Sequence, residues 1–78
     1  MNNEEKIIVV ATYEAVVEAH LAKGLLEEGG IPAFLRDETV SQLYPMFNST
    51  LGGIKLCIMK KDEERAIRIL SDNELIEN

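Results

Sequence analysis

Two short apolar segments, each followed by a helical pattern, constrain the fold more than any other feature of the sequence. The first segment is the β-branched run at 7–11, and the second is 54–60, in which apolar residues alternate. A continuous β-branched run is typical of a strand with apolar neighbours on both faces, and alternation is typical of a strand with one buried face. We therefore predict two strand–helix units that share one core.

The first helix is predicted from about residue 13 to residue 28. Thr12 is expected to cap it, because a threonine hydroxyl can accept a hydrogen bond from a free amide of the first turn. Gly29 is expected to end it in a left-handed conformation, and Pro32 excludes its continuation. At 100° per residue the helix has a wide apolar arc, which we expect to face the core. The arc consists of Ala15, Val17, Ala19, Leu21, Ala22, Leu25 and Leu26.

A second strand is predicted at 33–36, and a long connection follows at 37–53. A connection of this length is unusual in so small a domain, and such connections are often functional or mobile. It carries Tyr44, Met46 and Phe47 around a proline. Such side chains either fold back onto the core or serve as binding anchors, so we retain them as candidate ligand or partner contacts.

In the third strand, at 54–60, the alternation predicts two different faces. Ile54, Leu56 and Ile58 point one way, whereas Lys55, Cys57 and Met59 point the other.

The second helix is expected to begin at Asp62 as a cap. The acidic residues at 63–64 would lie in its first turn, where the helix dipole favours negative charge. Its predicted buried stripe consists of Ala66, Ile67, Ile69 and Leu70. Leu75 and Ile76 fall off that stripe, so we expect the tail at 73–78 to be frayed or to form a short edge strand.

The element order is therefore β-α-β-β-α, with a short fourth strand as an option, which is an α+β fold. The repeated strand–helix pattern favours a split β-α-β arrangement, in which both helices cover one face of an antiparallel sheet. The other face would carry Lys55, Cys57 and Met59 as a candidate self-association face. The first strand would add either Ile8 and Val10, or Ile7, Val9 and Ala11. Apolar patches of this kind commonly mark interfaces.

Composition excludes several classes of function. The chain has 78 residues, which is enough for a single domain, and its net charge of −6 argues against nucleic acid and against anionic membranes as partners. One cysteine excludes a disulfide framework, and no segment resembles a signal peptide or a membrane span. We expect a cytoplasmic protein. Because a core this small is marginal, we also expect a homo-oligomer.

The segment 18–36 reads EAHLAKGLLEEGGIPAFLR, and Glu64, Arg65 and Ala66 follow in the last helix. Together these motifs resemble the pattern of a bacterial domain-of-unknown-function family labelled "putative prokaryotic signal transducing protein". The resemblance covers about residues 6–70. It implies a ferredoxin-like two-layer sandwich related to the PII-like signalling proteins, and a role in signalling. No nucleotide-binding residue can be transferred from it.

Glu18 is the most informative candidate contact, because a carboxylate inside an apolar arc must be paired, hydrogen-bonded or protonated. It is either a ligand or partner contact, a structural ion pair with Arg36 or Lys55, or a side chain that escapes at the sheet edge. We retain Glu18 and Arg36 as candidate contacts. His20 is expected to be solvated.

No nucleophile, base and orienting group can be assembled, so we expect no catalytic residues and no enzyme. Capping explains the acidic residues at 62–64, so we expect no metal site and no cofactor. The sequence thus favours a small regulatory or binding module that uses the connection at 37–53 and the open sheet face. Its partner would be a protein or a small ligand of unknown identity. A purely structural, self-associating domain is the alternative.

Overall fold

The computed structural model describes residues 5–36 and 53–76, and in these ranges the elements follow the predicted order. They are β1 (Ile7–Tyr13), α1 (Val16–Glu28), β2 (Ala33–Arg36), β3 (Ile54–Met59), a turn of 3-10 helix (Lys60–Asp62) and α2 (Glu63–Asp72). The α+β class is therefore confirmed. The rest of the connection that was predicted at 37–53 lies outside the described residues.

β3 is the centre of the sheet. The strand order is β1-β3-β2, and β3 is antiparallel to both neighbours. β1 and β2 are therefore parallel, and α1 connects them as the crossover of a split β-α-β unit. This is the order of three strands of a ferredoxin-like sheet. The described part of the chain contributes no fourth strand.

Both helices pack on one face of this sheet, as predicted. Ile54, Leu56 and Ile58 of β3 are almost completely buried on that face. The core that they share with the helices also contains Tyr13, Ala19, Ala22, Leu26, Ile31, Ala66 and Leu70.

A bulge in β1 changes which of its residues point to the core. Val9 pairs with Cys57, whereas Ala11 pairs with Leu56, so Val10 is an additional residue in the ladder. A bulge places two residues opposite one and reverses the alternation beyond it. Val10 and Ala11 therefore both pack against the core. Of the two predicted alternatives for the bare face, the second is confirmed for Ile7 and Val9, which are exposed, and is wrong for Ala11.

The strand β1 also continues further than the sequence predicts. Tyr13 pairs with Ile54 and is only 6% exposed, so it belongs to the sheet and to the core. α1 therefore begins at Val16, and Ala15 at its N-cap makes no side-chain capping bond. The predicted cap at Thr12 is wrong, because burial of the next side chain keeps Thr12 within the strand.

Both helices end in the same hydrogen-bonding motif. After α1, the amide of Ile31 donates to the carbonyl of Leu26 at 2.9 Å across Gly30, whose φ is +85°. After α2, the amide of Leu75 donates to the carbonyl of Leu70 at 2.8 Å across Glu74, whose φ is +59°. These are Schellman motifs, in which the left-handed residue lets the next apolar side chain return to the core.

Gly29 is not the left-handed residue, contrary to prediction, since its φ is −82°. Gly29 instead allows the two helices to pack closely, because it has no side chain. A Cβ at Gly29 would lie 2.8 Å from Cδ1 of Ile69 on α2. The carbonyl of Gly29 also accepts a 2.6 Å hydrogen bond from Nη2 of Arg65.

The start of α2 is also different from the predicted cap. Asp62 occupies the N-cap position, but its side chain makes no capping hydrogen bond, because a turn of 3-10 helix leads into α2. Its Oδ1 lies 3.9 Å from Nη1 of Arg65. Glu63 and Glu64 do occupy the first turn, as predicted.

The tail after α2 is docked, so the predicted frayed end is wrong for residues 73–76. Leu75 and Ile76 pack against the core. The hydroxyl of Tyr13 donates a 2.8 Å hydrogen bond to the carbonyl of Leu75. Burial raises the pKa of Tyr13 to about 12, and the nearby carboxylate of Glu18 adds to the shift. Tyr13 therefore joins the tail to the end of β1.

Candidate functional site

The open face of the sheet is the surface that no helix of the described chain covers. Eight strand side chains form it: Ile7, Val9 and Thr12 from β1, Lys55, Cys57 and Met59 from β3, and Phe34 and Arg36 from β2. We call this surface the open face. The predicted grouping of Lys55, Cys57 and Met59 on one side of β3 is thus what the structure contains.

The middle of the open face is apolar and accessible to solvent. Val9 and Phe34 flank Cys57 in one row across the three strands, and Ile7 pairs with Met59 in the next row. Ile7 is 47% exposed, and Val9 and Phe34 are each 44% exposed. Three large apolar side chains that share one open surface indicate an interaction site more strongly than scattered ones do.

Cys57 lies at the centre of this patch but has no exposed surface. Its cross-strand neighbours are Val9 on one side and Phe34 on the other. Its sulfur is 3.9 Å from the carbonyl oxygen of Lys55, which is at best a weak hydrogen bond. Cys57 is therefore an apolar filler below the patch, and it is not an accessible thiol.

A shallow apolar groove of about 190 Å³ lies at one end of the open face. Ile7, Pro32, Phe34 and Met59 contribute to its walls. Pro32 precedes β2, so the proline that stops α1 also completes this groove.

The opposite end of the open face is basic. Lys55 of β3 lies opposite Arg36 of β2 on one side and Thr12 of β1 on the other. Arg36 is exposed. None of the eight side chains of the open face is acidic, although the whole chain carries a charge of −6. On the helices, the exposed carboxylates include Glu18, Glu27, Glu28 and Glu64. α1 thus carries more acidic than basic side chains, whereas the charged side chains of the open face are basic.

Gly53 fixes the backbone at this basic end. Its φ is +81°, and a Cβ at this position would collide with Cγ2 of Thr12. Only glycine combines this backbone conformation with so close an approach.

Glu18 is exposed on α1, so the expectation that the apolar arc is buried at this position is wrong, and among the predicted alternatives the exposure agrees with a side chain that escapes from the arc. The core-facing side of α1 is centred on Ala19, Ala22 and Leu26, and the apolar arc is wider than that side. Glu18 falls at its margin and reaches solvent. His20 is exposed, as predicted. Tyr44, Met46 and Phe47 lie outside the described residues.

Sequence reasoning did not predict the exposure of Phe34, Val17 and Leu21. Phe34 was treated only as part of a strand, although its alternation with Arg36 was a usable signal for the solvent side. Val17 and Leu21 were assigned to the core-facing arc, yet they are 80% and 55% exposed. Periodicity alone cannot locate the boundary of a buried face when the apolar arc is wider than the contact.

The remaining features of the described chain offer less chemistry. A second depression of about 330 Å³ lies beside Lys60, Lys61, Glu63 and Glu64, where Lys60 and Glu63 form an exposed 3.3 Å ion pair. Within residues 5–36 and 53–76, no three metal-binding side chains come together. In the same ranges, neither helix has the length and apolar character that a membrane crossing requires.

Comparison with known proteins identifies the family. The family model described as "Putative prokaryotic signal transducing protein" (DUF2007) matches residues 7–74, which run from the start of β1 to the left-handed residue after α2. Neither a curated protein nor a solved structure matches the chain. Because the family match covers nearly all of the sequence, this chain belongs to the DUF2007 family of putative prokaryotic signal transducing proteins.

Proposed function

We propose that this chain is a small, non-enzymatic regulatory or binding module that acts through the open face of its sheet and through residues 37–53. The observation that carries the proposal is the exposed patch of Ile7, Val9 and Phe34 on the open face. When a partner removes exposed apolar side chains from water, the free energy of the system falls, and this favours binding. The family description, which concerns signalling, agrees with a binding role.

The chemistry of the open face selects the kind of ligand. From Met59 in the apolar groove to Lys55 at the basic end is four residues of β3, which is about 14 Å along an extended strand. A ligand that fits has an apolar body and an anionic group at one end. Arg36 suits carboxylates and phosphates because its guanidinium can donate two parallel hydrogen bonds.

The absence of catalysis is part of the proposal. His20 lies on the outer side of the helical layer, whereas Cys57 is buried in the open face on the other side of the sheet. A general base and a thiol in these positions cannot act on one substrate.

Residues 37–53 connect β2 to β3, and Gly53 is the member of this segment that the structure describes. We propose that this segment contributes to the ligand contact. Amide hydrogen exchange with and without ligand tests this part, because a bound ligand protects the amides that it covers. Unchanged exchange of residues 37–53 in the presence of bound ligand would contradict it.

A thermal-shift screen against nucleotides, 2-oxo acids and fatty acids tests the binding function. A ligand at 100 times its dissociation constant adds about 2.7 kcal/mol, and each kcal/mol raises the midpoint of so small a domain by roughly 4–8 °C. Phe34→Thr and Arg36→Gln should each remove the shift, whereas Lys61→Gln on the helical side is the matched control. A shift that survives both open-face substitutions, or a panel without any shift, would overturn small-molecule binding at this face.

A purely structural, self-associating domain is the second candidate. The exposed Val17 and Leu21 on α1 favour it, because a second apolar surface suits assembly better than it suits binding of one small molecule.

A further inference from the structure

The outer side of α1 is a second exposed apolar surface, on the layer opposite the open face. Val17 is 80% exposed and Leu21 is 55% exposed, and one helical turn separates them. At 100° per residue, Val17 points almost directly away from the side that buries Ala19, Ala22 and Leu26. Gly24 continues the stripe, and apart from its chain neighbours and the backbone of its own helix no atom lies within 4 Å of where its Cβ would be. A neighbouring surface could therefore approach this part of the helix closely.

Acidic residues surround this stripe. Glu14 precedes α1, Glu18 lies beside Val17, and Glu28 follows Gly24 on the same side of the helix, and all three are exposed. The helix thus presents apolar side chains with an acidic rim. The open face presents apolar side chains with a basic end, which includes Arg36. The two surfaces are complementary in charge.

We propose that α1 of one copy of this chain lies across the open face of a second copy, in a head-to-tail contact. The two surfaces are on opposite layers of one molecule, so a single copy cannot bring them together. Covering the bare face of a sheet with a helix gives a three-layer arrangement, which is a stable solution for a sheet with two apolar faces. This inference rests on the proposed function, since it names the occupant of the open face.

The dimensions of the two surfaces agree. α1 has 13 residues and is about 20 Å long, and the six residues of β3 extend about 20 Å as well. The buried area per copy would be on the order of a few hundred Å², which is well below the roughly 800 Å² per partner of a standard interface. The contact is therefore weak and depends on protein concentration.

A symmetric contact between two open faces fits the observations less well. It would bring together two surfaces without any acidic strand side chain, and it would leave Val17 and Leu21 exposed. A head-to-tail contact covers both apolar surfaces and pairs acidic with basic groups. It also propagates, since each copy retains one free surface of each kind until a ring closes.

Sedimentation velocity from about 10 µM to about 1 mM measures the association, because an interface of this size is expected to have a micromolar to millimolar dissociation constant. We expect species larger than a dimer at the upper end. Arg36→Glu and added salt should both weaken them, since the pairing is partly electrostatic. A chain that remains monomeric at every concentration would overturn the proposal.

Two variants distinguish this geometry from a symmetric one. The helix variant is Val17→Gln with Leu21→Gln, and the sheet variant is Val9→Thr with Phe34→Thr. In each variant alone the dissociation constant for self-association should rise by about tenfold or more, because each variant lacks one half of the contact. Their mixture should form a one-to-one heterodimer and nothing larger, since it retains one intact helix surface and one intact open face. Circular dichroism confirms that each variant is folded.

The alternatives give different results. Loss of association in only one of the two variants indicates a symmetric contact and overturns the proposal. Ligand binding at the open face of a chain that stays monomeric overturns it as well, while the proposed binding function stands. Association without any ligand response supports the head-to-tail contact and removes small-molecule binding.

Discussion

The two faces of β3 belong to one strand, yet they are buried in different ways. Ile54, Leu56 and Ile58 lose their exposure because two helices form a second layer over them. Cys57, on the other side, is just as buried, but no helix of the described chain covers it, and its cross-strand neighbours are Val9 and Phe34. Those two neighbours remain exposed.

This difference separates the residues that stabilise the fold from the residues that are available for binding. On the inner face, removing a side chain leaves a cavity between two layers. On the open face, solvent or a neighbouring side chain can fill the space. The inner face should therefore determine the free energy of unfolding, and the open face should determine what the protein binds.

The largest expected loss of stability comes from comparing the two faces at adjacent residues of β3. Leu56→Ala should lower the free energy of unfolding by about 2–5 kcal/mol, since it leaves a cavity in the core. Cys57→Ala removes a single buried sulfur and should cost about 1 kcal/mol. Urea unfolding followed by circular dichroism measures both, with Leu56→Val as a milder variant if the alanine does not fold. Equal costs at the two positions would contradict the comparison.

Gly53 is the position at the open face where a substitution should destabilise the fold as much as one in the core. Gly53→Ala should cost about 1–3 kcal/mol, because it adds a collision with Thr12 to the penalty of a positive φ. Gly30→Ala is the matched control. It has a φ of +85° and nothing within 4 Å, so it should cost only the conformational part, about 1 kcal/mol. A larger cost at Gly30 than at Gly53 would show that the contact with Thr12 is unimportant.

The pH dependence of the free energy of unfolding tests Tyr13, which lies at the edge of the inner face. The pKa of Tyr13 is raised to about 12, so its neutral form is favoured in the folded state. The stabilisation that Tyr13 contributes is complete below about pH 10. As the pH rises from about 10 to 12 this stabilisation is lost, and the free energy of unfolding falls by roughly 1–3 kcal/mol. Tyr13→Phe should remove this decline relative to the wild-type chain, as urea unfolding at several pH values can measure. An unchanged decline in Tyr13→Phe would assign it to other groups.

The smallest expected effect on stability is on the open face itself. Phe34→Thr should change the free energy of unfolding by less than about 0.5 kcal/mol, because Phe34 is half exposed and threonine also favours strands. Leu35→Thr, one residue further along β2 and packed against the core, is the control and should cost more. If Phe34→Thr is as destabilising as Leu35→Thr, the open face is part of the stable core.

Much of the fold could be predicted because local patterns agree with the tertiary structure. β2 was predicted at its observed bounds, and the alternation of β3 assigned both of its faces correctly. The start of α1 could not be predicted from Thr12 alone, because the burial of Tyr13 is a long-range effect that involves Ile54 and Leu75. The docked tail was missed for the same reason, since its hydrogen bond to Tyr13 spans 62 residues.

The candidate site was predicted only in part. Lys55, Cys57 and Met59 were placed on the open face from their alternation, whereas Phe34 was not recognised as part of the same patch. Glu18 was expected to be constrained by an apolar arc, and it is exposed. The pattern within a helix shows which residues are apolar, but the position of the sheet decides which of them are buried.

The sequence by itself determined the order of the three strands and two helices and the apolar character of the open face, because these follow from local preferences and periodicity, and its motifs indicated the family. The tertiary structure alone decided the bulge at Val10, the left-handed conformation of Glu74 and the exposure of Val17 and Leu21. Each of these depends on which surfaces meet when distant segments pack together. That choice is made by the whole core, and no single segment of the chain encodes it.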